Sequence, residues 1–169
     1  MDEGQWLAED EQHAWRRLAA VMTLLPAALD AQLQRDAGLT QFAYLVLAML
    51  SEVEDRTMTM SDLAATVSSS LSRLSHVVTR LEQQGWVTRA PCPGNGRVTV
   101  ARLTPAGFDK VAATAPGHAA EVRRLVFGGL AEGGVEELSR VTTAVLARLE
   151  GGGRADVPLP GRVERPAIG

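Results

Sequence analysis

The sequence predicts a mainly α-helical fold interrupted once by a short β-hairpin. Three observations predict it. Apolar residues recur at helical spacing along most of the chain, only "WVTRA" and "RVTVARL" alternate as strands do, and these two runs flank the turn-forming "PCPGNG". With 169 residues, 46% of them hydrophobic, the chain is expected to form one domain with a substantial core, alone or with a tail.

The elements follow in order. Residues 8 to 35 read as a long amphipathic helix, which Pro26 should kink or split because proline removes an internal hydrogen bond; Gly38 closes it. Thr40 is placed to cap a helix over 41 to 53, whose Phe42, Leu45, Leu47, Met49, Leu50 and Val53 leave little room for solvent, so this helix is expected at the centre. In "TMSDLAATV" Thr59 can cap a short helix, with Asp62 at the answering position of a capping box. Only "SSS" separates it from a helix over 69 to 83, the spacing of a helix-turn-helix. After the hairpin, Thr104 and Pro105 start a helix expected to stop near Ala115, before Pro116 and Gly117. The helical pattern resumes in "HAAEVRRLVFGGL" and again over 135 to 149. Residues 151 to 169, rich in Gly and Pro, are expected to be a disordered tail.

Several functional classes are disfavoured. No apolar stretch approaches the roughly 20 residues of a membrane span, and the acidic start lacks the basic character of a signal peptide, which points to the cytoplasm. The single Cys92 rules out an intramolecular disulfide and a zinc site built mainly from cysteines. His13, His76 and His118 are scattered without metal-ligand spacing, and no Ser/His/Asp arrangement, P-loop or dinucleotide glycine pattern appears. Neither catalysis nor a cofactor or metal is expected.

Charge is the informative feature. Between Thr66 and Gly107 stand Arg73, Arg80, Arg89, Arg97 and Arg102 against Glu82, a balance of +4 in a chain of net charge -3, so the remainder carries -7. A basic island on an acidic body steers polyanions to one surface. On a helix over 69 to 83, Leu71, Leu74, Val77, Val78 and Leu81 share one arc of roughly 100°, while Ser69, Ser72, Arg73, His76, Thr79, Arg80 and Gln83 cover the other side. Hydroxyls, imidazole and guanidinium are the groups that meet phosphates and base edges, and a helix fits the major groove. An ordinary solvated face would be dominated by Glu and Lys, and this one has no Lys. At the hairpin tip, Gly94, Asn95 and Gly96 allow tight turns, and Arg97 is positioned to enter a minor groove.

The stretches "MTMSDLAATV", "SRLSHVVTRLEQQGWVTR" and "GRVTVARLTPAG" together resemble the support helix, recognition helix and wing of the multiple antibiotic resistance regulator (MarR) family, and the similarity covers about residues 10 to 150. The resemblance implies a mainly α fold: a winged helix-turn-helix DNA-binding domain at 38 to 104, with dimerisation helices at 1 to 37 and 105 to 150. It also implies a homodimer on a pseudo-palindromic double-stranded DNA site, acting as a transcriptional regulator and more specifically a repressor. By matching position, Arg97 is the wing arginine and Ser69, Ser70, Ser72, Arg73, His76 and Arg80 lie on the recognition helix; with Thr79, Arg89 and Asn95 these are the candidate DNA-binding residues. The family often has Asp two residues before the wing arginine, where this chain has Asn95. An amide can still orient a guanidinium by one hydrogen bond, without the charge-assisted contact. Members commonly release DNA when a small aromatic or phenolic compound fills a cleft between the dimerisation and DNA-binding parts, and Trp15, Met22, Tyr44 and His118 are the candidates to line it. The alternatives are a winged-helix module that binds proteins, since fold does not dictate function, and a metal-responsive regulator.

Overall fold

The computed structural model describes residues 6–150, so the tail expected at 151–169 lies outside the described residues. In chain order the elements are α1 (Glu9–Ala37), α2 (Gln41–Glu52), β1 (Thr57–Thr59), α3 (Met60–Thr66), α4 (Leu71–Gln83), β2 (Val87–Cys92), β3 (Asn95–Leu103), α5 (Pro105–Val122), a π-helical turn (Arg123–Phe127) and α6 (Gly134–Glu150). Hydroxyls start four of these helices. Thr40, Thr59, Ser70 and Thr104 accept the backbone N–H of Ala43, Asp62, Arg73 and Gly107 at 3.0, 3.0, 3.2 and 3.0 Å. Each cap satisfies an otherwise orphaned donor, worth about 1 kcal/mol.

A split at Pro26 and a stop near Ala115 are both corrected. Pro26 neither ends nor divides α1, which runs 29 residues, and Pro116 with Gly117 lies inside α5, which continues to Val122 and into the π turn. Each proline removes one bond to the carbonyl four residues earlier, and the intact turns on both sides hold the helix across that gap. The expected strand pair is also incomplete. Thr57–Thr59 adds a third strand, giving an antiparallel sheet in the order β1-β3-β2, with Met58 opposite Ala101.

The core lies where α2, α3, α4 and the sheet meet, around the fully buried Leu47, Leu50, Leu63, Leu74, Val78 and Val87. Gly107 brings α5 hard against the base of the hairpin. Thr104 N–H donates to Trp86 O at 3.0 Å, and a β-carbon on Gly107 would overlap that same carbonyl oxygen. Lys110, the one lysine in the sequence, donates Nζ to Ala37 O at 2.7 Å and ties the end of α1 to α5. The α3–α4 turn carries Ser68 at φ 49, a left-handed conformation that L-residues adopt at a cost.

Candidate nucleic-acid interface

Helix α4 is held by Leu74, Val78 and Leu81, each buried, while Ser72, Arg73, His76, Arg80 and Gln83 are exposed. Two details differ from the sequence reading. The helix begins at Leu71, so Ser69 and Ser70 precede it, with Ser70 as its cap. Leu71, assigned to the buried arc, is 51% exposed and is the first residue of α4.

Arg89 and Thr79, both counted among the DNA-binding candidates, are bonded to each other and to neighbours within the protein. Arg89 Nε donates to Glu82 Oε2 at 2.7 Å, its Nη2 to Thr79 Oγ1 at 3.0 Å, and its backbone N–H to Glu82 Oε1 at 2.9 Å. Thr79 in turn donates to Ser75 O at 2.9 Å. A carboxylate facing a guanidinium across seven residues of chain captures it in charge-assisted bonds. Arg89 therefore clamps β2 to α4 and neutralises the one acid of the basic stretch.

The hairpin turns through Pro93 and Gly94, the latter at φ 80, which glycine tolerates. Pro91 pairs with Thr99 and the next residue, Cys92, with Asn95, so Gly96, Arg97 and Val98 bulge from β3 without strand partners. Asn95 Oδ1 accepts the backbone N–H of Arg97 at 3.3 Å, so it steadies the main chain of the bulge and leaves the guanidinium unheld. Among the described residues, Arg80 and Arg97 make no side-chain ion pair or hydrogen bond, and the Arg73 guanidinium lies 4.5 Å from the Phe42 ring centroid. Cys92 is a partly exposed free thiol.

Behind α4 lies a cleft of about 960 Å³, bounded by α1, α2, α4, α5 and the π turn. Tyr44 and His118 meet in it with ring centroids 4.8 Å apart. Gln32 Nε2 donates to Asp36 Oδ2 at 2.9 Å, which turns Gln32 Oε1 toward His118 Nδ1 at 3.1 Å and assigns the proton to Nδ1. Burial lowers the His118 pKa, and burial, then the nearby Glu52 carboxylate, raises that of Tyr44. Both groups are therefore neutral near pH 7. Phe42, Val77 and Phe127 line apolar walls, while Arg73, Arg80 and Arg123 outnumber Asp30 and Glu52. Trp15 and Met22 do not line this cleft. Each is 52% exposed on the N-terminal half of α1. Phe127 and Arg123, on the π turn that continues α5, were not foreseen as cleft residues, because the helical pattern read there does not say which elements it faces. Among the described residues no group of three or more His, Cys, Asp or Glu side chains is placed to hold a metal ion.

The MarR family model matches residues 39–99. A solved structure of Sco3205, a MarR family transcriptional regulator from Streptomyces coelicolor in complex with DNA, is similar at 40% identity and a TM-score of 0.82, over 95% of this chain and 98% of that one. AbsC, a MarR family transcriptional regulator from the same organism, is similar at 39% identity and a TM-score of 0.81, over 87% and 99% of the two chains. The HTH-type transcriptional repressor IacR of Pseudomonas putida is 32% identical over 95 residues, 54% of each protein, so the match spans about half the length of that curated relative. Among the described residues no helix is long and apolar enough to cross a membrane.

Proposed function

The chain belongs to the MarR family of DNA-binding transcriptional regulators, and on that premise we propose that it is a homodimeric repressor that grips a pseudo-palindromic operator and releases it when a small aromatic acid or phenol fills the cleft. It acts in the cytoplasm as a binding protein rather than a catalyst. The observation that carries the reading is the outward face of α4 together with the bulged wing: Ser72, His76, Arg73, Arg80 and Arg97 are all exposed, and the one acid between residues 66 and 107, Glu82, is already occupied by Arg89. Ser69 and Ser70 at the helix start join them, Asn95 shapes the wing, and each free guanidinium that meets a phosphate displaces condensed counterions.

Dimerisation is supported by apolar surface at both ends of the described chain. Trp15, Leu18 and Met22 of α1 and Val141, Val145 and Leu149 of α6 are exposed, more than an isolated subunit comfortably leaves to water. Trp15 and Met22 thus serve the subunit interface. The cleft supports an anionic or phenolic aromatic effector through its neutral Tyr44–His118 pair, its aromatic walls and its excess of arginine. Because Arg73 and Arg80 stand on the cleft wall as well as on α4's exposed side, an anion there draws the same guanidiniums that phosphates require.

The test is fluorescence anisotropy of the full chain on duplexes enriched from a random pool, at two salt concentrations, with Arg97→Ala alongside and a panel of benzoates and phenols as effectors. Tight, salt-sensitive binding by a dimer, weakened in the variant and reversed by one of the aromatics, is expected. Weak binding to every duplex, unchanged by Arg97→Ala, would remove the reading.

A further inference from the structure

Fourteen large apolar side chains are exposed among the described residues, and thirteen of them lie before residue 25 or after residue 126, in the segments assigned above to dimerisation. Leu71 is the exception. It is 51% exposed in the first turn of α4, directly after the capping Ser70 and before the exposed Ser72. Half of its surface is left open among the described residues, and the exposed residues beside it in the chain, Ser70, Ser72 and Arg73, carry hydroxyls and a guanidinium. A leucine at that place is a poor choice for water and no use to a phosphate. In the major groove, however, one group is apolar: the 5-methyl of thymine.

We propose that Leu71 is a specificity-determining residue that reads a thymine methyl in the major groove, one in each half-site of the operator. The inference rests on the DNA-binding reading above and deepens it. The hydroxyls and arginines of α4 can select bases by hydrogen bonds, whereas Leu71 selects by burial of a methyl against its own side chain, and cytosine or uracil at that position leaves the leucine facing groove water. Continuity with the polar face of α4 favours this occupant over a second protein surface. Removing one buried methyl should weaken binding about three- to fivefold.

The experiment uses the full chain and the duplex it enriches from a random pool, with each thymine replaced singly by deoxyuridine, which deletes only the methyl. Wild type should lose about three- to fivefold at one thymine per half-site, and Leu71→Ala should bind the thymine and uracil duplexes alike, with an unchanged salt dependence. Leu71→Ala is an exposed substitution, and its urea midpoint and sedimentation should match those of wild type. Indifference of wild type to every replacement, or persistence of the discrimination in Leu71→Ala, would overturn the proposal while leaving DNA binding intact. A Leu71→Ala chain that sediments as a monomer would instead assign Leu71 to the subunit interface and overturn it too. Failure to enrich any duplex would sink both the proposal and the reading on which it rests.

Discussion

Replacing Gly107 by alanine tests how α5 is seated on the winged helix. The added methyl would overlap the Trp86 carbonyl oxygen and stand 2.9 Å from the carbonyl carbon and 2.8 Å from Leu103 Cδ1, whereas unstrained carbon contacts sit near 3.5–4.0 Å. Two of these neighbours are backbone atoms and cannot rotate away, so α5 must shift by roughly 1 Å. Overpacking of this kind costs about 1–3 kcal/mol. The shift also stretches the bond from Thr104 N–H to Trp86 O, now 3.0 Å, and losing it adds about 1 kcal/mol. Against this, alanine's helix propensity returns somewhat less than 1 kcal/mol in a first turn. The net expectation is a loss of about 2–3 kcal/mol, a large part of the roughly 5–15 kcal/mol that holds a domain together. Urea unfolding followed by tryptophan fluorescence, at matched protein concentration because a dimer's stability depends on it, measures the loss. Gly117→Ala in the same helix is the control. Its nearest outside neighbour is Gln32 Nε2 at 3.9 Å, so it should gain about 0.5–1 kcal/mol from propensity alone. Equal midpoints for wild type and Gly107→Ala would refute the reasoning.

Three further outcomes are expected. Arg97→Ala should reduce the slope of log affinity against log salt by about 1, while Arg89→Ala should lower the urea midpoint and leave that slope alone; a matching drop in slope would make Arg89 a phosphate contact after all. Ser68→Gly relieves a residue at φ 49 and should raise thermal stability by up to about 1 kcal/mol, with no gain meaning that the turn is not strained. Burial depresses the folded pKa of His118, so the neutral form is favoured by folding; its stabilisation is complete above the unfolded value near 6.5 and declines as pH falls through the folded one. The stability advantage of wild type over His118→Gln should therefore shrink as the medium is acidified below about pH 6.5, and a constant difference would count against the buried, neutral imidazole.

Local signals were the legible ones. Thr40, Thr59 and Thr104 announce helix starts because a capping hydroxyl acts on a backbone donor three residues away, and the period of Leu74, Val78 and Leu81 marks the anchored side of α4. What escaped depends on partners far along the chain. Thr57–Thr59 is a strand only because β3 lies beside it some 45 residues later, at Arg102. Arg89 looked available because composition gives the sign of a charge and not its neighbour, and Glu82 sits on another element. Leu71 shares a helical direction with Val78, yet the wheel says nothing of how far the packed surface extends along the axis. Pro26 and Pro116 misled for the opposite reason, since each is a local defect outvoted by the helix around it.

Arg73 and Arg80 belong to two surfaces of one helix, the wall of the cleft and the exposed side of α4. To heredity they are a single pair of codons under two selections. On the proposed reading, a lineage that drifts toward a new small molecule by changing either of them alters its grip on its genes in the same step, and a lineage that adopts a new promoter resets what it can sense. Gene copies diverging from such an ancestor would be expected to part in both respects together, as matched sets rather than as free combinations.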